Sequence, residues 1–408
     1  MLDVLVVGAG PAGLAAATAL RARERSVIVV DREVEPGGVP RHCDHWGFGW
    51  LDLRRVLSGP RYARRHVELA RDAGVELRTE TTVLGWRAGT ALALTSPAGP
   101  STLSARAILL ATGCRERPRS ARLVAGDRPA GVFTTGSLQQ LVHLEHQRPG
   151  TRAVVIGAEH VSFSAIQTLR DAGARVVAIV TPHGAHQTYA PFRWWTTRGR
   201  LPLLVGHDIV GIYGDRRVSS VTLRSRTGTV SELACDTVVF TGDWIPDHEL
   251  ARLGGLELDR GTRGPAVDSA LRTSRPGVFA AGNVLHGAEM ADVAALEGRA
   301  AAAAIDRFLD DGHWPARRLA ISVHPPLSWI VPNQLAIDDA PAPPRERFVF
   351  RVATFLRDVH VAVAQGGTVL SETRFARLVP NRWYHLSSAF LARVDPVGGD
   401  LAVRTVGE

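Results

Sequence analysis

The stretch "DVLVVGAGPAGLAAATALRARERSVIVVD", Asp3 to Asp31, decides the fold. It reads strand, tight turn, helix, strand. Val4 to Val7 is the kind of apolar run that a parallel strand covered on both faces carries. A helix is expected over roughly Ala12 to Arg23, and a second strand over Val27 to Val30. Gly8, Gly10 and Gly13 spell G-x-G-x-x-G between the first strand and the helix. Gly8 permits the turn, Gly10 lets the backbone approach a pyrophosphate, and Gly13 lets helix and strand pack closely. The helix N-terminus then faces the diphosphate, and Asp31 is placed to accept from a ribose hydroxyl. The turn predicts a bound dinucleotide. It does not by itself separate FAD from NAD.

The plan is doubled further along. "ARAILLATG" (105–113) is a buried strand ending in a small-residue turn, and "CDTVVFTGDWIPD" (235–247) repeats it. "TRAVVIGAEHVSFSAIQTLRDAGARVVAIVT" (151–181) repeats strand, turn, helix and strand. "PGVFAAGNVLHGAEMADVAALEGRAAAAAIDRFL" (276–309) is a strand, a Gly-Asn turn and a long Ala-rich helix. From about 313 onward, "ERFVFRVATFL", "HVAVAQGGTVLSE" and "RWYHLSS" alternate apolar and polar residues. The Gly366-Gly367 step reads as a hairpin turn.

Composition narrows the function. The chain has 408 residues, 45% of them hydrophobic, enough for two or three domains with real cores. Its formal charge is +8 and every basic residue is arginine, so no Schiff-base or P-loop lysine is available. The arginines are scattered among Asp and Glu, which argues against a nucleic-acid partner. Cys43, Cys114 and Cys235 form no CxxC pair, so neither a cysteine-ligated metal site nor a disulfide framework is expected. The opening residues form a strand, and no apolar run reaches about 18 residues, so a cytoplasmic chain without a transmembrane segment is expected.

The array "GAGPAG", "EPGGVPRH", "ATG" and "VFAAGNV" resembles the FAD half of pyridine nucleotide–disulfide oxidoreductase-like flavoproteins. "GGVPRHCDHWGFG", "LSGPRYARR" and "AAGNVLHGAEMADVAALEGR" are similar to the flavoprotein subunits of hydrogen cyanide synthase, opine oxidase and dye-linked L-proline dehydrogenase. The resemblance implies an α/β fold with two Rossmann-like domains of the glutathione-reductase type and a small C-terminal β-rich domain. It assigns 1–118 and 245–312 to an FAD-binding domain, 119–244 to a degenerate NAD(P)-binding-like domain, and 313–408 to the β-rich domain. The FAD contacts it implies are Gly8, Gly10, Pro11, Ala12, Gly13, Asp31, Arg32, Gly37, Gly38, Val39 and His42. Further contacts are Val83 on the adenine side, Ala111, Thr112 and Gly113 at the strand end, and Gly282, Asn283 and Asp292 at the late turn. The helix from about Ala291 would aim its N-terminus at the isoalloxazine. Such subunits relay electrons in hetero-oligomeric amine or amino-acid dehydrogenase systems. The implied partners are a small-molecule substrate and a second redox subunit. Many of those subunits carry a C-terminal cysteine-rich segment; the last ~95 residues here hold no cysteine and cannot ligate an iron–sulfur cluster.

Two places carry the remaining expectations. "PRHCDHWGFGW" (40–50) supplies one cysteine, so disulfide exchange through a paired thiol is not expected. Cys43, His45 and, from the late turn, His286 are the candidate base or nucleophile. The alternative for residues 40–50 is a packed loop that shapes the FAD pocket. Glu289 and Asp292 are expected to cap the following helix, and Arg115 and Arg117 to bind a carboxylate or to pair with Glu116 or a neighbouring domain. In "VVIGAEHVSFSA" (154–165) the glycine pattern reads Gly157, Glu159, Ser162, and no ribose-binding acid follows, so NAD(P) is not expected to bind. Trp194 and Trp195 are read as pocket filling, a partner interface or core. Two other readings stay open: a stand-alone NAD(P)H-dependent flavoprotein reductase, and an FAD-binding structural subunit without turnover.

Overall fold

The computed structural model describes residues 1–189 and 201–406, and Trp194 and Trp195 lie outside them. The chain forms two compact units. The first comprises 1–41, 46–114 and 245 onward, the second 42–45 and 115–244.

The first unit is built on a seven-stranded sheet. Leu2–Val7 lies between Val27–Val30 and the far half of Gly99–Leu110, parallel to both. Glu76–Arg78 extends the parallel set at one side, and Val278–Ala280 joins Gly99–Leu110 at the other. The near half of Gly99–Leu110 runs instead into an antiparallel meander with Ala91–Ser96 and Thr82–Trp86. Val4, Leu5, Val6 and Ala107–Leu110 are all buried, as central parallel strands require.

Helix Pro11–Arg21 follows the first strand directly. Its proline occupies a position where the missing N–H costs nothing. The 21-residue helix Ala291–Asp311 crosses it at Gly298, where an added Cβ would lie 2.1 Å from the Ala12 carbonyl oxygen. Gly312 ends the long helix in the left-handed conformation (φ 67°).

Residues beyond 312 add two sheets with an apolar core of their own, including Phe348, Phe350, Phe390 and Leu401. Gln365 pairs with Thr368 across a two-residue loop, and Gly366 and Gly367 both take positive φ, as expected of the glycine pair.

The second unit holds a five-stranded parallel sheet, in the order Val132–Thr134, Thr237–Phe240, Arg152–Ile156, Arg175–Thr181, Leu203–Val205. A four-stranded sheet lies beside it in the same unit. No helix among the described residues is long and apolar enough to cross a membrane.

Candidate functional site

The two glycine turns are built alike. The Gly8 N–H donates to the Val30 carbonyl at 2.9 Å, and the Gly157 N–H to the Val180 carbonyl at 2.8 Å. The Ala9 carbonyl accepts from the Gly37 N–H at 2.8 Å, and the Ala158 carbonyl from the Gln187 N–H at 2.9 Å.

Their occupancy differs. Helix Pro11–Arg21 starts at Gly10 with no side-chain cap, so its first-turn amides have no side-chain acceptor. A Cβ on Gly10 would meet nothing nearer than the Gly38 Cα at 4.0 Å, and a Cβ on Gly113 nothing within 4 Å. Uncapped amides under open backbone are what a diphosphate needs. Asp31 accepts from the Ala9 N–H at 2.6 Å and the Glu33 N–H at 2.9 Å, which fixes the turn. Its two oxygens still have lone pairs for a ribose hydroxyl. The residues around this turn therefore fit a dinucleotide.

In the second turn the Glu159 carboxylate folds back over its own backbone. Its Oε2 lies 2.8 Å from where a Cβ of Gly157 would stand, and its Oε1 3.1 Å from that of Gly242. The side chain is buried. Burial pushes its pKa up, while Thr241, its own backbone N–H and Ser162 pull the other way. Ser162 Oγ lies 2.8 Å from Thr241 Oγ1, tying the helix start to the strand end. The space a diphosphate would cross is filled by an acid.

Other predicted contacts fall around the first turn in varied ways. Thr112 Oγ1 donates to the Asp247 carbonyl at 2.7 Å, and the Ala111 N–H to Val7. Arg32 is exposed and pairs with Asp247 at 3.5 Å. Val39 is exposed, His42 buried, and Val83 packs against the core of the first unit. An added Cβ on Gly282 would lie 2.8 Å from the Ala12 Cβ, so the late turn touches the first helix.

The late turn differs from expectation. Asn283 Oδ1 accepts from the Glu289 N–H at 2.9 Å, so its amide closes its own loop. Asp292 does not cap the helix with a side-chain hydrogen bond. Its carboxylate accepts from the Gly49 N–H at 3.0 Å and from the Leu51 and Asp52 N–H groups at 3.0 and 3.2 Å. Met290 is the N-cap, and Glu289 only accepts its N–H, at 3.0 Å.

His286 is fully buried and stacked on Trp329, ring centroids 5.5 Å apart. Its Nε2 lies 3.2 Å from Glu297 Oε1, while Glu297 Oε2 accepts the Gly282 N–H at 3.0 Å. Burial works against charging His286, but Glu297 outweighs it and holds its pKa above the ordinary value. Burial also drives Glu289 up to about 7. Arg351 Nη2 donates to the Ala288 carbonyl at 2.9 Å and closes this side of the turn. A second charge knot is not evident from the sequence. Asp52 accepts from Tyr62 at 2.9 Å and meets His66 Nε2 at 2.7 Å and Arg299. Sequence spacing joins only Tyr62 and His66, one helical turn apart.

Cys43, the candidate nucleophile, sits in a buried setting. It falls with His45 in the second unit, buried, with Sγ donating to Gln139 Oε1 at 3.2 Å. Burial and the neighbouring Glu116 push its thiol up to about 12. A raised pKa disfavours the thiolate that nucleophilic attack requires. The backbone N–H of His45 donates to the Cys43 carbonyl at 2.8 Å, closing the loop around it. Arg117 pairs with Asp243 at 3.1 Å, in the segment 119–244 assigned from the sequence to the neighbouring domain. Glu116 instead accepts from the Thr135 and Gly136 N–H groups, at the start of the helix Thr135–Gln139.

The family model for pyridine nucleotide-disulphide oxidoreductases matches residues 2–298. The chain is 27% identical over 323 residues to a ferredoxin–NADP reductase of Ignicoccus hospitalis, covering 77% of this chain and 100% of that one. It is 30% identical over 334 residues to an opine oxidase subunit of Rhizobium meliloti, covering 74% of this chain and 70% of the relative. Among solved structures, thioredoxin reductase of T. acidophilum superposes with a TM-score of 0.65 at 23% identity. That match covers 75% of this chain and 97% of the other, and its likeness is one of fold.

Proposed function

The chain belongs to the pyridine nucleotide-disulphide oxidoreductase family of FAD-binding flavoproteins, and on that premise we propose that it relays electrons within an amino-acid or amine dehydrogenase system. FAD would lie over the Gly8–Gly13 turn and the late turn at Gly282. When bound, the flavin accepts a pair of electrons and passes them on. The chain's own residues supply an uncapped helix start for the diphosphate, Asp31 for the ribose, and a buried acid and histidine beneath the late turn.

The observation that carries this reading is Glu159. A buried acid in the second turn occupies the path a diphosphate would take. Electrons would then enter or leave by a route other than a nicotinamide held there. The likeness to the opine oxidase subunit supports an oxidase-type assembly with a second redox subunit. Cys43 and Cys235 are buried, and the buried Cys43 thiol speaks against disulfide reduction.

The ferredoxin–NADP reductase relative, matched over its whole length, favours the rival reading of a stand-alone NAD(P)H-dependent reductase. Anaerobic mixing of the FAD-loaded protein with NADH, NADPH and a panel of amino acids separates the two. Bleaching by an amino acid, alone or with a co-purified subunit, supports the relay. Fast bleaching by NADH or NADPH establishes the reductase and removes the argument from Glu159.

A further inference from the structure

The three-stranded sheet of the C-terminal region turns one face to its own core and the other to helix Ala291–Asp311. Strand Arg347–Val352 pairs antiparallel with Leu327–Val331 and with Tyr384–Ser387. Val349 stands opposite both Val331 and His385, so these three share a face, and Arg347 joins them two residues away. Phe348 and Phe350 alternate to the opposite face and fill the C-terminal core.

The shared face lines a cavity with ≈ 350 Å³ of empty space, open solvent included. Only ≈ 20 Å³ is wide enough to centre a water molecule. Val293 and Leu271 complete its apolar wall. Its charged rim is Arg345, Arg347 and His385, and Glu297 lies on the helix side. Neither Arg345 nor Arg347 has an ion pair or a side-chain hydrogen bond among the described residues. Glu297 accepts from the Gly282 N–H and meets His286, and it forms no ion pair with either arginine among the described residues. The His385 Nδ1 is buried without a hydrogen-bond partner.

We infer that this cavity is a binding site for a small oxyanion, gripped by Arg345 and Arg347 with His385 as a further donor. Paired guanidiniums recognise carboxylates and phosphates through directed, charge-assisted bonds. The narrow enclosed part has room for about one oxygen of the head, and the exposed arginines hold the rest of the ligand outside. The positive charge of the two arginines also acts on His385. Burial, then Arg347 and Arg345, hold its pKa down at about 4. The charged groups facing it are these two arginines from its own sheet and turn and Glu297 from the helix. An anion between the guanidiniums would raise that pKa. The site is separate from the flavin chemistry proposed above and does not depend on it.

The test follows the His385 ring Cε1–H by NMR in the FAD-loaded chain, assigned with His385→Gln. Sodium acetate and sodium phosphate are titrated separately, against sodium chloride at equal ionic strength. The expected result is a saturable shift with at least one oxyanion, and which one tells a carboxylate source from a phosphate source. The Arg345→Gln/Arg347→Gln double variant should weaken that binding at least about tenfold, with FAD content and circular dichroism unchanged. Both arginines are exposed, so each single variant provides a folded control. If neither anion moves His385 beyond the chloride control, or if the double variant titrates like the wild type, the site does not exist.

Discussion

Glu289 makes the stability of the protein depend on pH in a calculable way. Its carboxyl is buried beneath the late turn, near His286 and Glu297, and its pKa rises from the ordinary 4.5 to about 7. The cause is burial, opposed by His286 and by the Met290 N–H. Below its unfolded value the acid is protonated in both states and costs nothing. Between there and about 7 the unfolded chain releases its proton first, so the native state binds more protons and stability falls as pH rises. Above about 7 the loss is complete. At ~1.4 kcal/mol per pKa unit it amounts to about 3 kcal/mol. Glu289→Gln removes the charge and keeps an oxygen for the Met290 N–H. The variant should match the wild type near about pH 4.5 and exceed it by up to about 3 kcal/mol at about pH 8. Urea-unfolding midpoints of both FAD-loaded proteins across that range are the assay. Parallel pH slopes for the two proteins, or a less stable variant at the alkaline end, would refute the reasoning.

Other perturbations follow from the same geometry. Cys43→Ala should keep FAD and leave flavin reduction within about twofold of wild type, since the buried thiol is not ionised near neutral pH; stopped-flow reduction of the two proteins decides it, and a loss of about tenfold or more would restore Cys43 to the chemistry. Glu159→Gly should not by itself produce NADH or NADPH binding, because Ser162 is bonded to Thr241 and no ribose acid follows; saturable binding by calorimetry would show that the glutamate alone bars the turn. Gly298→Val should cost about 3 kcal/mol or more, or prevent folding, since its Cβ would press on the backbone of Ala12; an unchanged urea midpoint would mean that the helices move apart freely.

The first fold unit is legible because one segment states it redundantly. Val4–Val7, the three glycines and Asp31 each report the same strand, turn and helix, and local and tertiary preferences agree there. The late turn is legible as a turn but not as a set of bonds. Asp292 has the composition of a helix cap, and its carboxylate instead fastens residues 49–52, some 240 positions away. No local pattern carries that pairing. Cys43 misleads for a related reason. Arg41, His42 and His45 suggest an electropositive setting that would lower a thiol pKa. The neighbours that count come from residues 116 and 139, and they are an acid and an amide. The charge rim of Arg345, Arg347 and His385 is invisible in the sequence because it depends on the pairing of two strands.

The second glycine turn is better understood as a rebuilt turn than as a decayed one. The helix that begins at Glu159 still points its N-terminus at the space a phosphate would fill, and such a terminus favours negative charge. Removing the ligand from an intact fingerprint would leave backbone amides and an empty concavity. Here Glu159 fills that space, and Ser162 replaces the packing glycine with a bond to Thr241. The dipole and the Thr241 and Ser162 hydroxyls favour the ionised acid, burial favours the neutral one, and burial prevails. Raising the pKa lessens the cost of an unpaired charge in the interior. The turn keeps its backbone hydrogen bonds to Val180 and Gln187 and the sheet keeps its core.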